Sequence, residues 1–392
     1  MMHARSSKQL ILVILTLFVG VALAVSVPGS AAAGAARPTG QPLKIGIIAP
    51  TTGGTALIGQ HSVEGAKMAA EEINAGGGLG GRPIEILAED EAGQPAVGVA
   101  AMNKLVYSDK VNVILGPDTS SVTLAAMNIP QRESLPQITS SLNPTITQQN
   151  DPWIFRMRPT DLIAADLMAR FGVEELKLKK IGVMNSRGDY GQGGADAFVA
   201  ALKRGYNMAP IRSETVNIGD KDFTPQLLNI KNSGADGLLW WGIIAETAIV
   251  LKQRHDIGFT GPIFGANALV NSTVLDLAGQ NADGAIAATN YANTNPDPKT
   301  VEFEKKFRAK FNKVPNDHAP LYYDAMYLLR EAVKLGGGTS GEQIAKGLHL
   351  IRNLRLITSK FSFDEKGEPG NSMLIVQVKG TQQIVLKAYN YD

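Results

Sequence analysis

Short apolar runs alternate along the chain with longer segments in which apolar residues recur every three or four positions. The first run, 43–50, is typical of a buried strand, and the apolar residues of 62–74 fall on one face of a helix that the glycines at 76–78 end. Similar runs predict strands over 83–88, 111–116, 136–139, 180–184, 237–241 and 262–265. Helical spacing predicts helices over 96–107, 120–132, 160–175, 190–204, 222–233, 245–257, 300–311 and 321–335.

This alternation predicts the architecture. Strands separated by single helices form βαβ units and parallel sheets. The pattern restarts at 160, which predicts two α/β domains, and the alternating residues of 374–389 predict a terminal hairpin. Such sheets bind ligands at the carboxyl ends of their strands, and ligand sites favour the cleft between two domains. The loops that leave the strands are therefore the places to look for function.

The amino terminus has the order of a secretory signal peptide. Arg5 and Lys8 precede an apolar run over 10–27, and the small residues of 30–36 follow it. We expect cleavage within 33–36, so that residues 1–36 are the signal peptide. An uncleaved anchor is the alternative, because the apolar run is near the lower length limit for spanning a bilayer.

Net charge and cysteine content further limit the kind of protein that the sequence can encode. The 392 residues include 38 Lys and Arg against 36 Asp and Glu, and residues 1–36 hold two of the basic residues and no acidic one. The remainder is therefore neutral overall, unlike the basic footprint of a nucleic-acid binder. A chain with no cysteine has no disulfide and no thiol to carry a lipid, which predicts a freely diffusing periplasmic protein.

Common enzyme and cofactor motifs are missing from the sequence. It has no G-x-x-x-x-G-K-[ST], no G-x-S-x-G and no H-E-x-x-H, and the glycines of 76–81 lie between a helix and a strand, the wrong order for a dinucleotide site. The histidines lack partners at metal-ligand spacing; they are His3, His61, His255, His318 and His349. We expect no catalysis, no cofactor and no metal, with a hydrolase as the enzymatic alternative.

Two hydroxyl-rich loops that leave neighbouring strands could form one pocket. The loop 116–123 opens a helix, where Ser120 and Ser121 add hydroxyl donors to backbone N–H groups that attract anions. The loop 139–144 adds the hydroxyls of Thr139 and Ser141. Together the loops predict a pocket for a carboxylate. Asp, Ser and Thr also cap helices, so the loop 116–123 alone is equally consistent with an ordinary cap.

Loops of the second series offer further candidates. Tyr190, within 185–191, could close over a ligand held by the other domain, or it could pack locally at the start of its helix. The loops 240–242 and 265–268 end two more strands, and Ile58 in the first loop could present an apolar wall.

Four stretches of the sequence resemble one known family. They are 44–77, with its loop and helix glycines; 116–123; 186–193, with Asp189-Tyr190-Gly191; and 221–223 with the helix that follows. In combination, from about residue 43 to the end, they are similar to the leucine/isoleucine/valine-binding proteins of ABC transporters, which have the type I periplasmic binding fold.

The resemblance implies two Rossmann-like lobes with central, mostly parallel sheets. A hinge joins the lobes, and the chain would cross it three times, near Arg158, Thr289 and Ser372. One lobe would comprise 43–158 plus 290–372, and the other 159–289 plus 373–392. The ligand would be trapped as the lobes close.

The resemblance also implies site residues. The family's carboxylate-binding hydroxyl falls on Ser120, its contacts in the next loop fall on Ser141 and Asn143, and its second-lobe tyrosine falls on Tyr190. The family's acidic residue, which pairs with the ligand ammonium, falls on Asn267.

An asparagine at that position changes the expected chemistry. A buried ion without a countercharge costs several kcal/mol, and a hydrogen bond to a neutral group is worth about 1 kcal/mol against about 1.5–3 for a charged one. Either another acid substitutes, or the ligand has no ammonium. Asp118 and Glu246 lie in strand-end loops and could substitute, although Asp118 could also cap a helix and Glu246 could simply begin one.

These observations favour a periplasmic solute-binding protein that feeds an ABC permease in the inner membrane. We expect it to capture an amino acid, branched-chain or otherwise apolar, between two closing lobes, and to bind no nucleic acid. The alternatives are a binder of non-amino organic acids or amides for the same kind of importer, and a ligand sensor for a membrane receptor.

Overall fold

The computed structural model describes residues 37–149 and 151–389, so the predicted signal peptide over 1–36 lies outside the described residues. Within the described ranges, no helix combines the length and the apolar character that a membrane crossing requires.

Two sheets organise the chain, and both are built mainly from parallel strands. The first sheet has the order β2-β1-β3-β4-β5, with every pair parallel. Its strands are β1 (Leu43–Ala49), β2 (Ile84–Asp90), β3 (Val113–Leu115), β4 (Gln137–Thr139) and β5 (Ile154–Arg156). Apart from β2, these strands are almost entirely buried, which explains their unbroken apolar sequences.

The second sheet has the order β14-β13-β10-β9-β8-β6-β7. Its strands are β6 (Ile181–Ser186), β7 (Arg212–Val216), β8 (Gly237–Trp241), β9 (Ile263–Gly265), β10 (Ile286–Thr289), β13 (Met373–Lys379) and β14 (Gln382–Tyr389), and β11 (Leu354–Arg355) pairs with β12 (Lys360–Phe361) outside it. The predicted terminal hairpin is confirmed as β13 and β14, and β13 joins the sheet antiparallel to β10.

Helices cover both faces of the sheets. They are α1 (Ala56–Ala75), α2 (Pro95–Asn103), α3 (Ser120–Ala126), α4 (Asn128–Arg132), α5 (Asp161–Arg170), α6 (Asp189–Tyr206), α7 (Thr224–Asn232), α8 (Ile244–Asp256), α9 (Ser272–Ala278), α10 (Pro298–Phe311), α11 (His318–Gly336) and α12 (Gly341–Leu350). The predicted fold class, two α/β halves with mostly parallel sheets, is confirmed.

The C-terminal helices α10 to α12 share a core with the first sheet and α1. Helices α1 and α11 approach closely at Gly65, where an added Cβ would lie 2.0 Å from the backbone oxygen of Ala319. On the second sheet, Trp240 packs into the core of one face and Trp241 into the core of the other, and both side chains are fully buried.

The chain passes between the sheets three times: between β5 and α5, after β10, and between β12 and β13. These points lie beside the predicted crossings at Arg158, Thr289 and Ser372, and the division into two lobes at those bounds stays a prediction.

Several helices and strands were not predicted correctly from the sequence patterns. β7 is a half-exposed edge strand with the polar sequence RSETV, and β5 and β10 are short, so none has a long apolar run. The helix predicted over 120–132 is divided into α3 and α4, and α12 was not predicted.

Candidate functional site

A cavity of about 390 Å³ lies between loops at the carboxyl ends of the two sheets. The first sheet contributes Gly93 and Arg158 from loops and Ser120 from the start of α3, and Ile58, predicted to lie in a loop, contributes from the first turn of α1. The second contributes loops around Tyr190, Gly219, Glu246 and Asn267. The volume is within the usual range for small-molecule sites, roughly 300–1,000 Å³.

Most of the candidate residues from the sequence share this wall. They reach it from five separate segments of the chain; they are Ile58, Asp118, Ser120, Ser121, Tyr190, Glu246 and Asn267. Parallel strands explain the convergence, because their carboxyl ends meet at one edge of each sheet. Ile243 and Ile244 add apolar surface to the same wall.

Thr139 and Ser141 do not line the cavity. The Thr139 hydroxyl donates to the Pro117 carbonyl at 2.7 Å, and the Ser141 hydroxyl lies 2.7 Å from that of Thr123 and 3.1 Å from the same carbonyl. Both side chains are buried and bind the two loops to each other. The residue of this loop that lines the cavity is Leu142.

Asn143 also lies outside the wall. Its side-chain Nδ2 donates to the backbone carbonyl of Asp189 at 2.6 Å, which joins the first-sheet loop to the start of α6. Its backbone N–H donates to Ser120 Oγ at 3.3 Å. Ser120 Oγ is the acceptor in that bond and donates to none of the described residues, so its O–H is available to donate into the cavity.

Asp118 is held by the first half of the protein. Its carboxylate accepts from Ser62 Oγ at 2.9 Å, from Tyr322 OH at 2.8 Å and from Ser140 Oγ. It therefore does not cap α3, whose N-cap is Thr119. Behind it lies Glu91, whose pKa is raised well above its usual range by burial and by the neighbouring Asp118 carboxylate.

Glu246 has an unused acceptor. It lies in the first turn of α8 and is 2% exposed. Its Oε1 accepts from the Gly219 N–H at 3.0 Å, whereas its buried Oε2 has no hydrogen-bond partner within the described ranges. A buried acceptor without a donor is costly, so a donor brought by a ligand would be stabilised here.

Asn267 is committed to protein partners. Its Oδ1 accepts from Tyr190 OH at 3.2 Å, and its Nδ2 donates to Asp317 Oδ2 at 2.9 Å. Asp317 also accepts from Arg158 Nη1 at 3.1 Å and lies 3.1 Å from His318 Nδ1. Burial alone would raise the pKa of Asp317, but His318 and Arg158 hold it well below its ordinary value.

Sequence patterns missed several residues of the wall, namely Leu142, Arg158, Asn271 and His318. Arg158 was noted only as a predicted hinge crossing, because the strand that precedes it, β5, was not recognised. His318 was missed because its helix was predicted to begin at 321 and begins at His318 itself.

The chain is similar to proteins of one family. The family model described as periplasmic binding protein matches residues 42–383. A Leu/Ile/Val-binding protein homolog of Brucella melitensis is 29% identical over 88% of this chain and 93% of its own. A leucine-, isoleucine-, valine-, threonine- and alanine-binding protein of Pseudomonas aeruginosa is 30% identical over 84% of this chain and 87% of its own. The structure of the leucine binding protein LivK of Thermotoga maritima aligns with a TM-score of 0.81 at 25% identity, covering 89% of this chain and 99% of that one.

Proposed function

The chain belongs to the periplasmic binding protein family, and from that premise we propose that it is the substrate-binding component of an ABC importer. In this role it captures a small amphipathic carboxylate, an amino acid with an apolar side chain, between two closing lobes. The similarity to proteins named for binding leucine, isoleucine and valine supports this ligand class.

The observation that carries the proposal is a cavity whose wall combines two kinds of surface. Ser120 and Ser121 offer hydroxyl donors for a carboxylate. Ile58, Ile243 and Ile244 offer apolar contacts for a hydrocarbon side chain. A leucine-like molecule needs both, because its polar end must replace lost water contacts and its side chain gains from burial.

For a ligand ammonium, we propose Glu246 rather than Asp118 as the partner. The Asp118 carboxylate already accepts from three hydroxyl groups, whereas the Glu246 carboxylate accepts one backbone N–H and has a free oxygen. Asn267, at the family's acidic position, is committed to Tyr190 and Asp317.

The mechanism we propose is hinge closure. One lobe comprises 43–158 plus 290–372 and the other 159–289 plus 373–392, and each contributes part of the wall. A ligand that touches both lobes favours the closed form, since it has more contacts there than in the open form. The bonds from Asn143 to Asp189 and from Asn267 to Asp317 are of the kind that forms on closure.

The remaining parts of the proposal concern location and partner. Residues 1–36 direct export and are removed, the mature chain is periplasmic, and its partner is the permease of the importer. The protein delivers its ligand unchanged and is not an enzyme.

Thermal unfolding of the mature chain, 37–392, against the amino acids and small organic acids tests this function. A ligand at 100 times its Kd stabilises the folded state by about 2.7 kcal/mol. Leucine and its relatives should raise the melting temperature by several degrees, and Glu246→Gln should lose most of that response. If no amino acid and no organic acid raised the melting temperature, the proposal would be contradicted.

A second candidate is an importer component for organic acids without an ammonium. The specific observation that favours it is Asn267, a neutral residue where the family has an acid. The compound 4-methylpentanoate, which is leucine without its ammonium, separates the two. If it stabilises the protein at least as well as leucine, the organic-acid function is correct.

A further inference from the structure

One nitrogen of the Arg158 guanidinium, Nη2, makes no hydrogen bond to the described residues. Its Nε donates to the Ser140 carbonyl at 2.7 Å and its Nη1 to Asp317 Oδ2 at 3.1 Å. Nη2 has no hydrogen-bond partner in the part of the chain that the structure describes. The residue is 5% exposed and lines the cavity. The two N–H groups of Nη2 are therefore available to an acceptor that a ligand brings into the cavity.

The guanidinium is fixed in place by its other contacts. Asp317, its ion-pair partner, also accepts from Asn267 at 2.9 Å and from Asn271 at 2.5 Å. The same carboxylate therefore holds both the arginine and the loop that contains the family's acidic position. A planar guanidinium held on two sides is well suited to bind a carboxylate, because little conformational freedom is lost when the ligand arrives.

Arg158 and Ser120 are both anchored to one loop. Arg158 binds the backbone of Ser140, and Ser120 Oγ accepts from the backbone of Asn143. The two donors therefore flank the segment whose Leu142 lines the cavity. This common anchoring makes it possible for one carboxylate to accept from both.

We infer that Arg158 is a specificity-determining residue whose Nη2 binds the ligand carboxylate beside Ser120, so that the cavity selects carboxylates over their amides. This inference rests on the proposed function. It places the anionic end of the ligand at Arg158. The same anchor serves an amino acid and an organic acid.

Calorimetry with matched probe pairs tests the assignment. The pairs are L-leucine with L-leucinamide, and 4-methylpentanoate with 4-methylpentanamide, titrated into the mature chain. We expect the wild type to bind the carboxylate of at least one pair about 100-fold more tightly than its amide. Arg158→Gln should reduce that ratio by about 10- to 100-fold, the range for one charged hydrogen bond. Arg158→Lys, which keeps the charge without the fork, should fall between.

A purely structural role for Arg158 predicts a different result. It would weaken carboxylate and amide together and leave their ratio unchanged, which would overturn the inference while the importer function stands. A wild type that binds both members of each pair equally would also overturn it. If no carboxylate binds at all, the inference and the proposed ligand class fail together. Arg254→Gln, at a partly buried arginine outside the cavity wall, is the matched control and should keep the wild-type ratio. If Arg158→Gln does not fold, the ratio in Arg158→Lys decides.

Discussion

Asn143 Nδ2 donates to the backbone carbonyl of Asp189 at 2.6 Å, and this bond joins a loop of the first sheet to the first turn of α6 beside the second. The contact is tight, because a Cβ added to Gly193 would lie 2.6 Å from the same nitrogen. A residue predicted to touch a ligand thus connects the two parts of the protein that surround the cavity.

Asn143→Ala should weaken ligand binding without changing the cavity wall. The closed form loses one hydrogen bond, worth about 1 kcal/mol, which corresponds to about a fivefold higher Kd by calorimetry. Small-angle scattering of the ligand-free variant should show a larger radius of gyration. Asn103→Ala removes an exposed amide that bonds within its own helix, and it should leave the affinity unchanged. An unaltered Kd in Asn143→Ala would show that the bond does not favour closure.

Asn267→Asp should destabilise the ligand-free protein. The new carboxylate would lie where Nδ2 now donates to Asp317 Oδ2 at 2.9 Å, so two like charges would meet in place of a hydrogen bond. We expect a loss of about 1–3 kcal/mol near pH 7 by chemical denaturation, shrinking as the pH falls and one carboxyl is protonated. A variant as stable as wild type at pH 8 would contradict this account of Asn267.

Asp161 should make stability fall as the pH rises. Burial raises the pKa of this carboxyl to about 7 from 3.8, against the opposing effects of the Trp241 hydrogen bond and of Arg158. The folded chain therefore keeps a proton that the unfolded chain releases, and stability is lost between about pH 4 and pH 7, by up to about 4 kcal/mol.

Denaturation of wild type and Asp161→Asn from pH 4 to pH 8 measures this contribution. The variant should have the shallower dependence, and the difference between the two curves isolates Asp161 from other buried acids. Asp166→Asn lies on the same helix but at an exposed position, so its curve should follow that of the wild type. Parallel curves for Asp161→Asn and wild type would mean that Asp161 has an ordinary pKa.

Gly194→Ala should be strongly destabilising. An added Cβ would lie 2.0 Å from Nε1 of the buried Trp241, whose ring cannot move without disturbing its core and its bond to Asp161. We expect a loss of about 1–3 kcal/mol from overpacking. Gly205→Ala, on the same helix with open space around its Cβ, is the control and should be neutral or gain up to about 1 kcal/mol. Equal effects of the two substitutions would argue against this packing.

The sequence patterns located the cavity because parallel strands impose a simple rule. Once the apolar runs were assigned, Asp118, Tyr190, Glu246 and Asn267 had to lie at the carboxyl ends of their sheets, and the structure brings them into one wall. The pairing of strands that lie far apart in the sequence was harder to predict. The strand β10 is short and rich in alanine, and nothing local reveals that β13 will pair with it.

The direction in which side chains point within loops also could not be predicted from the sequence. Thr139 and Ser141 have the same chemistry as Ser120, yet they bind the Pro117 carbonyl instead of lining the cavity. Which hydroxyl faces a ligand depends on loop conformation, which periodicity does not encode. Arg158 could not be recognised for a related reason, because the residue that positions its side chain, Asp317, lies far away in the sequence.

The interleaving of the two halves has a consequence for how the chain folds. In the second sheet, β10 pairs on one side with β13, which follows it by more than 80 residues in the sequence. The first sheet packs against α10 to α12, which lie beyond residue 297. Such nonlocal pairings slow folding, because the entropic cost of closing a long loop arises before the stabilising contacts form. During synthesis, the first core therefore cannot be completed before Phe363 has emerged from the ribosome, and the core of the second sheet cannot be completed before Val378 has done so.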